Sequence, residues 1–368
     1  MAAIIFIVIL IFIIAIQAFL PKFLKESEAF GIYIPDTKIN DKRIEHMKNR
    51  YTQLVLTVGI MILAIFIGWL WLVRPAEEQI VFAGMVAQIG TLIFSMGLYA
   101  KNHIALANWK KTEKWTEGQS ERKVVDLHFR DQLKLLPSIY FIIPMLITLG
   151  LGILGLSLYD TLANQIPTHW GPSGKADAFA EKSWGSVSAL PIMTLLLQGM
   201  MLFFNGAMKQ SGAKIQVRHK KRSREQQLAF RKYSSWLLFV VTITVTLLMG
   251  YLQLTIIYPE TMSASVTLGF TLGFLVVILG AVLYYTVKVG QSGTRIPVAE
   301  QDVSPDDVID MDDDQYWKFG LFYVNKNDPS ILVEKRFGIG WTVNMGHKGS
   351  WIFLVLLFGS IFLIATLL

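Results

Sequence analysis

Eight apolar stretches decide what this chain can fold into. They fall at about residues 2–20, 54–73, 80–100, 135–156, 187–205, 236–257, 266–287 and 351–368. Each is close to the roughly 20 residues a helix needs to cross a bilayer core, and none contains Asp, Glu, Lys, Arg or His. No water reaches the hydrocarbon, so backbone amides there must be satisfied within the segment, which makes a run of this length a helix. The expected fold class is therefore an all-α integral membrane protein with eight transmembrane helices. Charged residues make up 17% of the chain, below the roughly 25% of soluble domains. The first stretch has no positive leader, no small-residue cleavage site and basic residues after it, so it reads as an uncleaved helix.

Lys and Arg set the expected orientation. The segments after stretches 1, 3, 5 and 7 carry 31 of the 34, while those after stretches 2, 4 and 6 carry only Arg74, Lys175 and Lys182. The positive-inside rule then puts both termini outside and the long basic loops inside. The net charge of +7 reads as topology determinants beside anionic lipid, not as a nucleic-acid footprint. The chain has no cysteine, which excludes disulfides, thiolate metal sites and thiol catalysis. The polar residues inside the stretches are few, among them Gln88, Ser95, Gln198, Asn205 and Gln253. That argues against ion-coupled transport, which uses intramembrane charges, and offers little to line a channel. There is no phosphate-binding loop, no G-x-S-x-G elbow and no H-E-x-x-H. Gly150, Gly152 and Gly155 form a small-residue stripe suited to close helix packing. No cofactor and no metal site is expected.

The unusual chemistry sits in the loop after the fourth stretch, expected as a compact polar outer cap over residues 158–186. Pro167 and Pro172 restrict the backbone, and Gly171 and Gly174 permit positive φ. Trp170 is an interfacial type, while His169, Asp177, Glu181 and Lys182 supply polar groups. Three readings stand side by side. His169 with Asp177 or Glu181 could activate metal-bound water. The loop could be a rigid recognition surface for a peptide or lipid from outside. It could also be a structural plug whose polar groups satisfy one another. Asp160 and Glu260, at the ends of stretches 4 and 6, are candidate partners of His169.

The remaining segments divide by position. Residues 1–133 form a three-span region with basic loops. Residues 134–260 hold the cap, 261–300 the seventh span and a linker, 301–350 an acidic linker and a hairpin, and 351–368 the last span. No internal repeat is apparent. Lys101–Lys134 carries Trp109 and Trp115 among lysines, a pattern suited to the membrane interface. Arg218–Arg224 reads as an anionic-lipid anchor. Gln301–Asp314 holds seven aspartates and no Lys or Arg, which reads as a solvated acidic linker. The aromatic and β-branched runs Tyr316–Asn325 and Ile331–Gly338 flank an Asn-Asp-Pro turn and predict one hairpin near 316–340.

The pattern Ile166-Pro167-x-His169-Trp170-x-x-x-Gly174-x-x-Asp177, followed by Lys182 and a span, resembles the signature of the SdpI-like bacterial membrane proteins. The likeness covers about residues 130–260, and Asp126-x-x-Phe129-Arg130 is similar too. Phe30-Gly31-Ile32-Tyr33-Ile34-Pro35 resembles the first cytoplasmic loop of larger relatives. The segment from Tyr316 to Asn344 resembles a second small domain of unknown function found in them. The best-understood relatives of this type are immunity proteins. They protect a Gram-positive cell from a secreted toxic peptide and can sequester a transcriptional repressor at the membrane. The resemblance therefore implies a cell-membrane protein of the immunity or sensing type. Its cap residues would be Pro167, His169, Trp170, Gly174, Asp177 and Lys182. An inner assembly would use Phe30, Gly31, Pro35, Trp317, Asn325, Asp328 and Arg336. Its partners would be membrane lipids, an extracellular peptide and a cytoplasmic regulator, with no nucleic acid. The alternative is a membrane-embedded enzyme acting on a lipid or peptide at the outer leaflet, with His169 as general base.

Overall fold

A computed structural model describes residues 1–115, 120–122, 126, 128–260, 262–299 and 308–367. Eight long helices run through it: α1 (Ala2–Phe23), α2 (Lys42–Val73), α3 (Glu77–Thr112), α4 (Ile139–Ser157), α5 (Trp184–Gln210), α6 (Lys220–Ile257), α7 (Ala264–Lys288) and α8 (Lys348–Leu367). The first seven are long and apolar enough to cross a membrane, and α8 adds an apolar stretch at Lys348–Gly359. The chain is a multi-pass membrane protein. Each expected stretch lies inside a helix or within four residues of one, because the helices ignore the boundary that hydropathy draws. α2 starts with its polar residues at Lys42, where the Asp41 carboxylate accepts from Arg43 N at 2.9 Å as an N-cap. α3 continues past Lys101 to Thr112.

Short strands punctuate the connections: β1 (Glu28–Ala29), β2 (Ile32–Tyr33), β3 (Ser120–Arg122), β4 (Gln165–Trp170), β5 (Ala176–Glu181), β6 (Val308–Asp310), β7 (Trp317–Lys318), β8 (Phe322–Tyr323), β9 (Leu332–Glu334) and β10 (Trp341–Val343). They pair two by two. β3 with β6 is the parallel pair, and the other four pairs are antiparallel.

The chain folds into two compact units. One contains Met1–Phe129, Gly212–Phe230 and Thr286–His347, and the other Arg130–Ser211, Arg231–Tyr285 and Lys348–Leu368. The first unit gathers the segments that follow α1, α3, α5 and α7. Its core is aromatic. Phe30, Tyr51 and Tyr99 are each 1% exposed. Phe337 lies 4.0 Å from Tyr99 between ring centroids, and Phe30 lies 5.6 Å from Tyr51 edge to face. Burying each such ring contributes about 1.5–3 kcal/mol.

Two turns meet in that core. Phe30-Gly31 and Phe319-Gly320 each close a tight hairpin with positive φ at both residues: 44° and 75° in the first, 54° and 65° in the second. In the first this is the dihedral requirement of a two-residue hairpin loop whose twist matches its strands; in the second the same dihedrals turn the chain within a three-residue loop, where Leu321 N donates to Lys318 O at 3.1 Å. The turns touch back to back. A Cβ on Gly31 would stand 2.7 Å from Gly320 Cα and 2.5 Å from Tyr99 Oη. Tyr99 Oη donates to Phe319 O at 2.8 Å, and His103 Nδ1 lies 2.8 Å from Phe30 O. The two turns thus share a short element, Phe-Gly followed by an apolar residue, that no periodicity scan finds.

Two expectations are corrected here. The runs Tyr316–Asn325 and Ile331–Gly338 do not pair with each other. Phe319-Gly320 folds the first run on itself as β7–β8. Gly338 and Gly340, at φ 109° and 107°, turn the second run back so that β9 pairs β10. The Asn-Asp-Pro loop between them is held by Asn344. Its amide donates to Asn325 O, Asp328 O and Ser330 O, and its carbonyl accepts from Asn325 N and Gly346 N. Trp109 and Trp115, whose pattern suits the membrane interface, meet each other in the first unit. They pack edge to face at 4.8 Å, with Lys38 over both rings and Arg43 over Trp109. The end of the acidic segment is not a solvated linker, as its contacts below establish. Residues 301–307 lie outside the described residues.

Candidate functional site

The His169 segment folds as a β-hairpin in the second unit. Gln165 pairs with Glu181, Ile166 with Ala180 and Pro167 with Phe179. The register then shifts through His169 to Trp170 opposite Ala176. Side chains alternate across the pleat. Ile166 points inward, 1% exposed, and packs with Leu162, Val187 and Ile256. Trp170 packs half-buried against the same helices. The tip closes through Gly171 N donating to Lys175 O at 2.8 Å and Gly174 N donating to Gly171 O at 2.9 Å. Gly174 has φ 79°, and a Cβ there would collide with Ala264 O at the start of α7. The tip therefore rests on that helix start, and only glycine fits the contact. Ser183 caps α5 by accepting from Ser186 N at 3.0 Å.

His169 Nδ1 lies 2.5 Å from Asp177 Oδ1, with the two side chains 66% and 51% exposed. The β-bulge supplies this geometry by swinging His169 toward the next residue on β5. Lys182 takes no part. Its ammonium donates to Leu162 O at 3.0 Å and lies over the Tyr159 ring. Tyr159 stacks on Trp184 at 4.5 Å. Asp160 and Glu260 are exposed, and among the described residues neither hydrogen-bonds His169. No group of three or more His, Asp or Glu among the described residues is arranged to hold a metal ion. The cap thus holds an exposed imidazole–carboxylate pair on a stiff support.

All seven residues expected at the inner assembly lie in the first unit. Arg336, 2% exposed, is its centre. Its guanidinium donates to Gly31 O at 3.1 Å, bonds Asp313 and Asp314, and lies over the Trp317 ring. Phe30 and Gly31 form the buried turn above, and Pro35 is buried after β2. Tyr323 Oη donates to Asp328 Oδ2 and accepts from Asn325 Nδ2, each at 3.1 Å. Sequence reasoning missed the partners. Asp313 also pairs with Lys214 at 2.9 Å, and Lys110 holds Asp312 and Asp314 at 2.5 Å each. Glu334, 4% exposed, accepts from Gln227 at 2.9 Å and Lys25 at 3.4 Å and bonds Ser292. Gln291 donates to Glu28 at 2.7 Å. The missed signal was an acidic run lacking basic neighbours in sequence, in a chain with lysines to spare elsewhere.

Burial alone would push the Asp313 carboxyl up, but Lys214 and Arg336 outweigh it and hold the group well below the usual carboxylate range. For Asp314, Arg336 and Lys110 override burial in the same direction. Asp310, to which Val217 N donates at 2.7 Å, is pushed up by its burial. A depressed carboxyl lends stability above its unfolded pKa and loses it as pH falls through the folded value. Asp310 acts in the opposite sense, so two groups oppose one. The melting temperature of the purified protein should hold through neutrality and fall as pH drops below about 4. A curve flat down to about pH 2 would contradict this.

Residues 145–195, from α4 through the hairpin into α5, match a domain of unknown function (DUF1648). Residues 326–351, from the Asn344-held loop to the start of α8, match a family of unknown function (DUF5808). No curated protein and no solved structure matches the chain.

Proposed function

We propose that this chain is a bacterial cell-membrane protein of the immunity or sensing type. In this reading both termini and the His169 hairpin face outward, and the hairpin meets a toxic peptide or another envelope stress signal. The four basic segments face the cytoplasm and pass the state on to a regulator. The alternation of Lys and Arg supports the orientation. So does the gathering of those four segments into one unit. The likeness to the SdpI-like signature and the matched domain at 145–195 support the class. The observation that carries the reading is the His169–Asp177 pair. His169 stands two-thirds exposed and Asp177 half exposed on a hairpin fixed at its tip and base, as a contact surface would.

A second reading draws on the same pair. A carboxylate 2.5 Å from an imidazole is the geometry of an oriented general base, so hydrolysis at the outer leaflet is the alternative. Its weakness is exposure, since such a base works best where water is excluded. The test is a strain dependent on this protein for survival of a secreted toxic peptide. His169→Ala should abolish protection while the protein still inserts and accumulates in the membrane. A fully protected, normally expressing variant would overturn the reading. Hydrolysed lipid or peptide that vanishes in the same variant would favour the enzyme.

A further inference from the structure

The outward face of the hairpin has a composition of its own. Along β5, Asp177, Phe179 and Glu181 share one side of the pleat, and all three are exposed. Facing them on β4 are His169, Pro167 and Gln165. Phe179 is 51% exposed and Trp184, just beyond Glu181, is 63% exposed. The result is an acid–aromatic–acid stripe ending on an indole. Four carboxylates, Asp160, Asp177, Glu181 and Glu260, are exposed in and beside the cap against two lysines. Lys182 is already committed to Leu162 O and the Tyr159 ring. The surface is therefore acidic and aromatic together.

Those two properties select an occupant. An anionic membrane surface or an acidic peptide would be repelled by the carboxylates. A purely polar cation would leave Phe179 and Trp184 unused. We infer that this face binds a cationic amphipathic peptide, with its apolar side on Phe179 and Trp184 and its basic residues on Asp177 and Glu181. The inference rests on the reading of the hairpin as an outward recognition surface and specifies the chemistry of the partner.

The test uses the full-length protein in nanodiscs of zwitterionic lipid, titrated with a synthetic Lys/Leu amphipathic peptide and its Glu/Leu counterpart. Empty nanodiscs serve as the lipid control. The basic peptide should bind at least about tenfold more tightly than the acidic one, a difference that should shrink in high salt. Phe179→Ala should weaken binding about tenfold and Glu181→Gln severalfold. Both should leave the melting temperature unchanged, since both positions are exposed. Equal binding of the two peptides, indifference to both variants, or the same binding on empty discs would overturn the inference. The last of these outcomes would make lipid the partner. If His169→Ala abolishes protection while no charge preference appears, only the peptide class fails. If His169→Ala keeps protection, the reading beneath fails and this inference with it.

Discussion

Replacing Arg336 with Met should cost about 3–5 kcal/mol, the usual loss when one partner of a buried ion pair is removed. Arg336 is 2% exposed and serves three groups at once: Gly31 O, Asp313 and Asp314. Its removal leaves two carboxylates under loops that were folded around a cation, with Lys214 and Lys110 as their remaining cations beside donors from Trp317 Nε1 and Tyr33 N. Arg336→Lys should fail nearly as badly, because one ammonium cannot reproduce a fork that spans two carboxylates and a carbonyl. Thermal melting of the detergent-purified variants measures this. Adding Asp313→Asn to Arg336→Met should recover part of the loss by removing one stranded charge. A loss under about 1 kcal/mol would mean that the guanidinium is not central to the unit.

Gly320→Ala should be comparably damaging for a steric reason. At φ 65° a side chain is strained in any surroundings. A Cβ would also stand 2.5 Å from Tyr99 Oη and 2.8 Å from Gly31 Cα. Tyr99 can shift, but the opposing backbone cannot move without opening the other turn, so a loss of about 3 kcal/mol or more is expected. Tyr99→Phe should not rescue it, because the backbone overlap remains. Two controls separate strain from crowding. Gly340→Ala meets φ strain in open space and should cost less. Gly97→Ala, in α3 with nothing near its Cβ, should be neutral or mildly stabilising. Equal damage at Gly320 and Gly340 would show that the turn-to-turn contact is unimportant.

The helices were legible because hydropathy over about 20 residues is a local property that membrane physics enforces. The His169 segment was legible as a site because Pro, Gly, His and Asp crowd into one short loop. Its folding as a hairpin with a bulge was not, since Ile166 alone marks the buried face. The first unit was the least legible. Arg336 finds Asp313 and Asp314 across a hairpin, Lys110 reaches Asp312 and Asp314 from α3, and Lys25 meets Glu334 from the far end of the chain. A linear scan sees an acidic run as solvated when its counter-charges lie 22, 99 and 204 residues away. The paired Phe-Gly turns escaped notice for the same reason, since two dipeptides make no period.

The claim that the His169 hairpin faces the outside and the basic segments the inside is tested most directly by labelling. The chain has no cysteine, so single substitutions report without background. Lys175→Cys at the hairpin tip and Lys220→Cys at the start of α6 are both exposed positions. With a membrane-impermeant maleimide on intact cells, Lys175→Cys should label at once, and Lys220→Cys only after the membrane is opened. Labelling of Lys220→Cys but not Lys175→Cys in intact cells would invert the topology and contradict the account.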